Sequence, residues 1–505
     1  MAGAGSVNAR APAREENSLL LDWMVRQYHV SAAAMLGCIS ATHLVKERPG
    51  FGQTIRPQKG SILASPVLAS WDPDPDYFFH WLRDSATVID ALRHLIEDGI
   101  CGEEGLGHCK DFVAFSHRLN HLNGGAFLRQ AGDFRAAVDP AFLQFVRDDS
   151  DLASITGDRV FGEPRFNPDA TLDISKWSRP QHDGPAVRAL ALLRFRPFDV
   201  FDPATRESIH ALVKTDLSFV HRHWRAPCFD IWEEEFGQHY YAQLVYEAAL
   251  TDGAQWMDEI GEAGRAQAFR EAAREIAKSL DDYWDQAKGF YVSRRDVVNG
   301  TSGKDLDFAT ILAVIHARRR EGTHSVLDPK VLATLARLEV LFETSYPINR
   351  GRAEQQGPAL GRYAGDNYFS GGAYYFSTLG AAEFYYSLAE RVAAGAELSV
   401  TPENKEILVR LGVADDALAS ASKDWEHRKD LARALLRRGD QFMATVAAYT
   451  PVSGQLSEQF DQTTGVQTSA KTLAWSHAAF ITAFARRKAA LRALAPGLAQ
   501  IGGAQ

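Results

Sequence analysis

Apolar residues recur at helical spacing along most of the chain, whereas the alternation that is typical of half-buried strands is almost absent. Between Gln267 and Trp284 the apolar side chains form one stripe and charged side chains cover the opposite face, which predicts an outer helix with one face in solvent. Between Thr468 and Phe484 apolar residues occupy most of the circumference. That pattern predicts a helix buried on both sides.

The periodicity predicts about twelve helices, in which the amphipathic ones tend to alternate with the more apolar ones. Their predicted ranges are 18–42, 84–98, 110–123, 184–197, 205–225, 238–253, 264–286, 305–320, 328–344, 372–393, 424–447 and 468–490. Helix pairs of this kind, with a short turn on one side and a long loop on the other, could close into an inner and an outer ring.

The unusual residues of the chain gather in long loops that precede even-numbered helices. These loops are 71–84, 176–185, 229–237, 362–368 and 454–461. In a closed double ring, loops that all lead into even-numbered helices would lie at one end of the barrel. Because binding and catalytic residues are often carried by loops on a rigid scaffold, we expect the functional site at that end.

The loop 229–237 places four carboxylates among large apolar side chains such as Phe229, Ile231 and Trp232. Apolar neighbours exclude water and raise the pKa of a carboxyl. A glutamic acid with a raised pKa can protonate a leaving group near neutral pH. The alternative is an acidic segment at a helix N-terminus with aromatic residues in the core.

Glu458 is the best candidate for a second catalytic carboxyl group that acts together with one of these acids. It lies between Gly454 and Phe460 with polar neighbours, a solvated setting that would keep it ionised and able to activate water. Alternatively, Glu458 caps the last helix. Two carboxylates, with Arg and Asp to hold hydroxyls and Trp to stack on sugar rings, form the set of groups that glycoside hydrolysis requires.

Composition narrows the class of protein further. The 505 residues carry a net charge of −9, and the 55 Lys and Arg residues are scattered, which argues against nucleic acid as a partner. The mean hydropathy is −0.24 and no long apolar run exists, so no membrane span is expected. The N-terminal stretch lacks the apolar core of a signal peptide, which predicts a cytoplasmic protein.

No metal or cofactor is expected. Asp72, Asp74 and Asp76 alternate as in a calcium loop, but prolines separate them and the required glycine is missing. The cysteines show no zinc-ligand spacing. The chain also lacks a phosphate-binding Walker loop, a dinucleotide-binding glycine fingerprint and a GxSxG elbow.

The cysteines are Cys38, Cys101, Cys109 and Cys228. Cys101 and Cys109 flank a glycine-rich stretch, predicted as a loop, and could form a disulfide in an oxidising compartment. Because no export signal is found, reduced thiols are expected.

Five segments together resemble the fungal-type glucoamylases of glycoside hydrolase family 15. They are 77–85, 177–185, 230–234, Arg362-Tyr363 with Asp366 and Tyr368, and 457–461, in the order of the family. The resemblance extends from about Leu20 to Arg487, nearly the whole chain. It implies an all-α fold, an (α/α)6 barrel of about six helix pairs.

The resemblance also implies a reaction, the exo-acting, inverting release of β-D-glucose from the non-reducing ends of α-1,4-glucans and maltooligosaccharides. Glu233 would be the general acid and Glu458 the general base. Inversion requires room for a water molecule, so the two carboxyl groups are expected about 6.5–9.5 Å apart.

The substrate-binding set that the resemblance implies is Tyr77, Trp81, Arg83, Asp84, Trp177, Asp230, Trp232, Glu234 and Arg362. Arg83 and Asp84 can hydrogen-bond the 4- and 6-hydroxyls of a terminal glucose, which a residue substituted at its 4-oxygen could not reproduce. One departure is Tyr374, which stands where the fungal enzymes carry a tryptophan and bears on the far subsites.

The predicted organisation is a flexible N-terminal segment 1–17, a catalytic domain 18–490 and a C-terminal tail 491–505, in a monomer. No starch-binding module is expected, which favours soluble maltooligosaccharides over starch granules as the substrate. Two alternatives remain at this point. One is the same scaffold acting on another α-glucosidic linkage, as in isomaltose or trehalose. The other is a non-catalytic glucan-binding protein.

Overall fold

Two concentric rings of helices make up the fold. The computed structural model describes residues 11–70, 72–198, 200–298, 303–412 and 425–495. Within these ranges twelve helices have nine or more residues, in the number and order that the periodicity predicts.

Counted along the chain, every second one of the twelve long helices belongs to the inner ring, beginning with the second. These six helices are buried on nearly every face. They are α2 (Leu82–Glu97), α7 (Asp183–Leu193), α9 (Tyr240–Glu259), α11 (Ala309–Ala317), α13 (Tyr375–Ala393) and α16 (Ala474–Leu494). Each packs against the next in this order, and α16 packs against α2. The described part of the chain therefore forms a closed ring of six helices, the inner layer of an (α/α)6 barrel.

The other six long helices, beginning with the first, form the outer ring. They are α1 (Ala11–Leu36), α3 (Gly102–Asn120), α8 (Pro203–His223), α10 (Ala263–Leu280), α12 (Pro329–Ser345) and α15 (Trp425–Tyr449). In α10 the buried side chains are those of the predicted apolar stripe from Phe269 to Leu280, and Ala266 one turn earlier is buried with them. This helix ends before Trp284, which lies in a short strand.

The close contact between the inner helices α2 and α7 depends on a glycine. Gly184 in the first turn of α7 lies against Leu82 at the start of α2, and an added Cβ would come within 2.6 Å of the Leu82 Cβ. Since real Cβ atoms do not approach so closely, only glycine permits this packing of the two inner helices.

Short helices and strands fill the connections. The short helices are α4 (Gly124–Ala131), α5 (Asp149–Ser154), α6 (Asp158–Phe161) and α14 (Lys405–Arg410). The strands are β1 (Lys46–Arg48), β2 (Gln53–Ile55), β3 (His80–Trp81), β4 (Arg165–Phe166), β5 (Cys228–Phe229), β6 (Phe236–His239), β7 (Trp284–Asp285), β8 (Phe290–Tyr291), β9 (Arg294–Arg295), β10 (Ala373–Tyr374), β11 (Gln459–Phe460) and β12 (Gln467–Thr468).

These strands fix the long loops to one another at one end of the barrel. Antiparallel pairing joins β3 to β4, β5 to β6, β6 to β9, β10 to β11 and β11 to β12. The strands β3, β6 and β10 run directly into the inner helices α2, α9 and α13. The predicted clustering of the loops at the N-terminal ends of the even-numbered helices is confirmed.

Several predicted boundaries differ from the structure. The last inner helix begins at Ala474 and not at 468, because residues 467–468 pair as β12. Helix α1 begins at Ala11, inside the segment 1–17 predicted as flexible, and residues 1–10 lie outside the described ranges. Helix α16 continues to Leu494, and the rest of the predicted tail from 496 onward is also outside them.

The predicted loop between Cys101 and Cys109 is wrong. Residues Gly102–Asn120 form helix α3, so the two cysteines are separated by two helical turns, about 12 Å along the axis. A disulfide requires Cα atoms within about 7 Å, which this helix does not allow. All four thiols are free and buried.

Within the described residues no helix is both long and apolar enough to cross a lipid bilayer.

Candidate active site

A cavity of about 560 Å³ opens at the end of the barrel where the long loops meet. Glu233 and Glu458 both line it, although 225 positions separate them in the chain. The start of α2 contributes Arg83 and Asp84. The sequence therefore brings the two predicted catalytic acids to one site, as the resemblance implies.

Glu233 lies in the turn between β5 and β6, and its backbone has a φ of 66°. A positive φ is uncommon for residues other than glycine and is often found at functional sites. Asp230 stabilises the turn, because its Oδ1 accepts hydrogen bonds from the backbone N–H groups of Trp232 and Glu234. This turn replaces the helix N-terminus that was the alternative interpretation of the segment.

Three N–H donors hold the Glu233 carboxyl group. The indole Nε1 of Trp81 donates to Oε1 at 2.8 Å, and that of Trp177 donates to Oε2 at 2.5 Å. The amide of Gln181 also donates to Oε1, at 2.9 Å. The guanidinium of Arg83 lies 3.8 Å from the same oxygen. The carboxyl group is thus fixed in one orientation beside the cavity.

Glu458 differs from the sequence expectation in its surroundings. The prediction of a solvated, ionised carboxylate is wrong, because the residue is only 9% exposed and burial raises the pKa of Glu458 to about 7. Ser469 donates a hydrogen bond to its Oε2, and Tyr77 donates one to its Oε1 at 3.4 Å. These donors and the charge of Arg362 oppose the effect of burial.

Arg83 and Asp84 are buried polar groups with unused hydrogen-bonding capacity. The Nη1 of Arg83 donates to Asp183 at 2.9 Å and to Gln181 at 3.1 Å, while its Nε has no hydrogen-bond partner among the described residues and lies 4.0 Å from Oδ2 of Asp84. Burial raises the pKa of Asp84 to about 6 against the attraction of Arg83. Since both residues line the cavity and carry charged hydrogen-bonding groups, they are suited to bind ligand hydroxyls.

A second arginine, Arg362, faces the cavity from the loop before α13. Its guanidinium makes two hydrogen bonds of 2.7 Å to Asp366 and one of 2.9 Å to Glu234. The hydroxyl of Tyr363 also donates to Glu234. Glu234 is therefore engaged in holding Arg362, while Glu233 beside it is directed to the indoles.

The structure brings together nearly all the predicted substrate-binding residues. The ones that line the cavity are Tyr77, Trp81, Arg83, Asp84, Trp177, Trp232, Glu234 and Arg362. Asp230 does not line it, because it is buried beneath the turn and paired with Arg294 at 3.0 Å. Tyr374 is also fully buried and lies outside the lining, where it accepts a hydrogen bond from Gln459.

Two aromatic residues of the cavity lining, Phe376 and Trp475, were missed by sequence reasoning, although the predicted Trp232 stacks with them. Trp232, Phe376 and Trp475 stack in succession, with ring centroids 5.9 and 4.6 Å apart. Phe376 and Trp475 belong to the first turns of α13 and α16, where their apolar character suggests only core packing. Their position in the first turn of even-numbered helices is the signal that could have identified them.

Other missed residues support the site from behind. Asp307 accepts a hydrogen bond of 3.0 Å from the Trp232 indole and pairs with Arg294. Burial raises the pKa of Asp307 to about 6 despite the attraction of Arg294. The remaining missed residues that line the cavity are Lys176, Ser178, Ile231, Tyr368 and Leu473.

Asp74 and Asp76, two of the alternating acidic residues that were not expected to bind calcium, form ion pairs. Asp76 accepts a hydrogen bond from Arg48 at 2.7 Å, and Asp74 accepts one from Lys471 at 2.7 Å. These cations neutralise the carboxylates, so the geometry favours a structural role for the acidic segment.

Comparison with known proteins places this arrangement in a family. Two carboxyl groups beside one cavity on a double ring of helices suit an acid–base glycosidase. The family model described as Glycosyl hydrolases family 15 matches residues 146–485. The chain belongs to this family.

The chain is similar to known glucoamylases along most of its length. It is 28% identical over 483 residues to Glucoamylase 1 of Rhizopus oryzae, which covers 92% of this chain and 71% of the relative. It is 31% identical over 444 residues to Glucoamylase-1 of Schizophyllum commune, with 86% and 70% covered. The solved glucoamylase of Saccharomycopsis fibuligera superposes with a TM-score of 0.75 at 24% identity, covering 94% of this chain and 96% of that one, which shows the same fold.

Proposed function

We propose that this protein is an inverting, exo-acting glucan 1,4-α-glucosidase that releases β-D-glucose from the non-reducing ends of maltooligosaccharides. Its membership in family 15 makes it a glycoside hydrolase, and its relatives are consistently named glucoamylases. The observation that carries the mechanism is that Glu233 and Glu458 enter one cavity from different loops.

Glu233 is proposed as the general acid. Two indoles and an amide fix its carboxyl group, so that a proton can be delivered to a glycosidic oxygen without reorientation of the side chain. The left-handed backbone of the turn directs the residue away from the neighbouring Glu234, which Arg362 holds. Transfer of the proton breaks the bond between C1 and the glycosidic oxygen.

Glu458 is proposed as the general base. Its carboxylate takes a proton from a water molecule that attacks C1 from the face opposite the leaving group, which inverts the anomeric configuration. Ser469 and Tyr77 donate to the carboxylate and orient it. With a pKa of about 7, raised by burial, Glu458 is a stronger base than an exposed glutamate.

Exo action is proposed to come from Arg83 and Asp84. Both residues are buried and both line the cavity. Hydrogen bonds to the 4- and 6-hydroxyls would be lost for a glucose unit that carries another unit on its 4-oxygen. The site would therefore accept a chain end and reject an internal residue.

A time-resolved NMR assay with maltotriose tests this function. The first glucose released should be the β-anomer, and maltotriose with a 4-O-methyl group on its non-reducing end should not be cleaved. Release of α-glucose would contradict inversion, and cleavage of the blocked substrate would contradict exo action. Faster hydrolysis of isomaltotriose or trehalose would assign another linkage, and no glucose from any substrate would indicate a non-catalytic binding protein.

A further inference from the structure

A second cavity, of about 530 Å³, lies at the opposite end of the barrel. On α2 the active-site cavity is lined by Arg83 and this one by Arg93, which is ten residues or about 15 Å further along the helix. Seven of its sixteen lining residues are arginines, whereas its only acidic lining residues among the described ones are Asp252 and Glu390. The family's reaction gives no role to this positive charge.

The seven arginines share five carboxylates among the described residues. Arg93 pairs with Glu97 at 2.8 Å, Arg319 with Asp252 at 2.7 Å and Arg486 with Glu390 at 3.4 Å, Glu383 lies 3.7 Å from Arg318, and the fifth carboxylate is Asp90. Arg93, Arg194 and Arg318 all approach Asp90, at 3.6, 3.0 and 2.8 Å. Although burial opposes its ionisation, the three guanidiniums hold the pKa of Asp90 well below its usual range. Burial lowers the pKa of Arg194 to about 10 in spite of Asp90, and the charge of Arg318 contributes to that shift.

Several donors in the cluster remain unused. The Nε atoms of Arg93, Arg318 and Arg486 are buried and have no hydrogen-bond partner among the described residues. Arg93 is only 8% exposed, so its free Nε adds to the cost of burying the positive charge of these arginines. Burial lowers the pKa of Arg486, and repulsion from Arg318 adds to this effect.

Attraction to the C-terminal ends of helices explains the position of only some of the arginines that line this cavity. The inner helices end near this cavity, and their free carbonyl groups attract cations. Arg194 donates to the carbonyl of His316, and Arg391 donates to that of Arg320. The positive charge of the lining as a whole, seven arginines beside Asp252 and Glu390, is not used up in this way, and it favours an anionic ligand in the cavity.

We propose that this cavity binds a small phosphate monoester. Arginine forks match the geometry of phosphate oxygens, and a dianion would balance the excess of guanidinium groups. Apolar side chains such as Leu193, Val314 and Val326 form another part of the wall and provide a surface for the organic part of the ligand. The volume lies within the range of small-molecule sites and exceeds what inorganic phosphate alone fills.

Isothermal titration calorimetry of the full chain with glucose 6-phosphate tests this site, with inorganic phosphate, glucose and chloride at matched ionic strength as comparisons. Glucose 6-phosphate should bind saturably and more tightly than phosphate, whereas glucose and chloride should not compete for the site. Equal affinity for phosphate and its ester would overturn the monoester assignment. Absence of saturable binding of both below about 10 mM would overturn the site itself.

Variants locate the binding. Arg318→Gln and Arg486→Gln should each weaken glucose 6-phosphate by about 10-fold or more, since each removes a charge-assisted hydrogen bond. Arg433→Gln, on the exposed face of α15, is the matched control and should bind as the wild type does. If Arg318→Gln fails to fold because Asp90 loses a partner, Arg486→Gln decides the question. Unchanged affinity in folded Arg486→Gln would overturn the proposal.

Discussion

The hydroxyl of Ser469 donates a hydrogen bond to Oε2 of Glu458, the buried carboxyl group whose pKa is raised to about 7. Burial disfavours the charged carboxylate, whereas the hydroxyl favours it by donating to a negative oxygen. The two effects act on the group proposed to activate water. Their balance determines the pH range in which the site contains an ionised base.

The first prediction is an acidic limb in the pH profile of kcat/KM. A general base acts only when it is deprotonated, so kcat/KM for maltotriose should fall about 10-fold for each pH unit below about 7. Initial rates at low substrate concentration between pH 4 and 9 measure this limb. A profile that is flat down to pH 5 would show that Glu458 is not titrating as the base.

Replacing Ser469 should move that limb. Ser469→Ala removes a donor that stabilises the carboxylate, so the pKa of Glu458 rises and the acidic limb shifts to higher pH. At a pH well above the limb the variant should retain most of its activity. Ser469→Gly, which removes the same hydroxyl and suits the φ of 61° at this position, should shift the limb in the same way. A uniform loss of rate without a shift of the limb would indicate a merely structural contribution of Ser469.

Amide substitutions test the proposed roles of the two acids. Glu233→Gln and Glu458→Gln retain the side-chain shape but remove the proton donor and the base, so each should lower kcat by at least about 10²-fold. The affinity for maltotriose, measured by calorimetry on the inactive variants, should change little. Glu207→Gln on the exposed face of α8 is the control. Rates close to the wild type in either variant would refute its assigned role.

The indole of Trp177 gives a narrower test of how Glu233 is positioned. Trp177→Phe retains an aromatic face but removes the N–H that donates to Glu233 Oε2. Loss of one of the three N–H donors should lower kcat by about 10-fold, while KM changes less, because positioning affects the chemical step more than binding. A rise of KM alone would show that Trp177 serves only as a stacking platform.

The architecture could be predicted from sequence because it depends on local periodicity. Helix α10 shows one apolar stripe and α16 shows apolar residues on most sides, and the structure places them in the outer and inner rings. The order of the loops before even-numbered helices then brings Glu233 and Glu458 to the same end.

The details of the site could not be predicted in the same way. The positive φ of Glu233 is imposed by the pairing of β5 with β6 and by the Asp230 turn. The burial of Glu458 depends on tertiary contacts from Tyr77 and Ser469, while its sequence neighbours are polar. Composition around a residue therefore misjudged its solvation, which is set by groups distant in sequence.

A buried ion pair between the rings provides a test of stability. Arg188 on α7 makes hydrogen bonds of 2.9 and 2.7 Å to Asp216 on α8, and both side chains are fully buried. Burial raises the pKa of Asp216 in spite of Arg188. Arg188→Met would leave this carboxyl group without its partner and should lower the free energy of unfolding by about 3–5 kcal/mol, as measured by urea denaturation.

Two further variants separate the loss of the pair from the loss of the side chain. Arg222→Met breaks the exposed pair with Asp158 and should cost less than about 1 kcal/mol. The double variant Arg188→Met with Asp216→Leu removes both buried charges and should recover much of the stability, because the penalty comes from one uncompensated carboxyl group. If the double variant were less stable than Arg188→Met alone, the packing of these side chains and not their charge would hold the inner ring to the outer one.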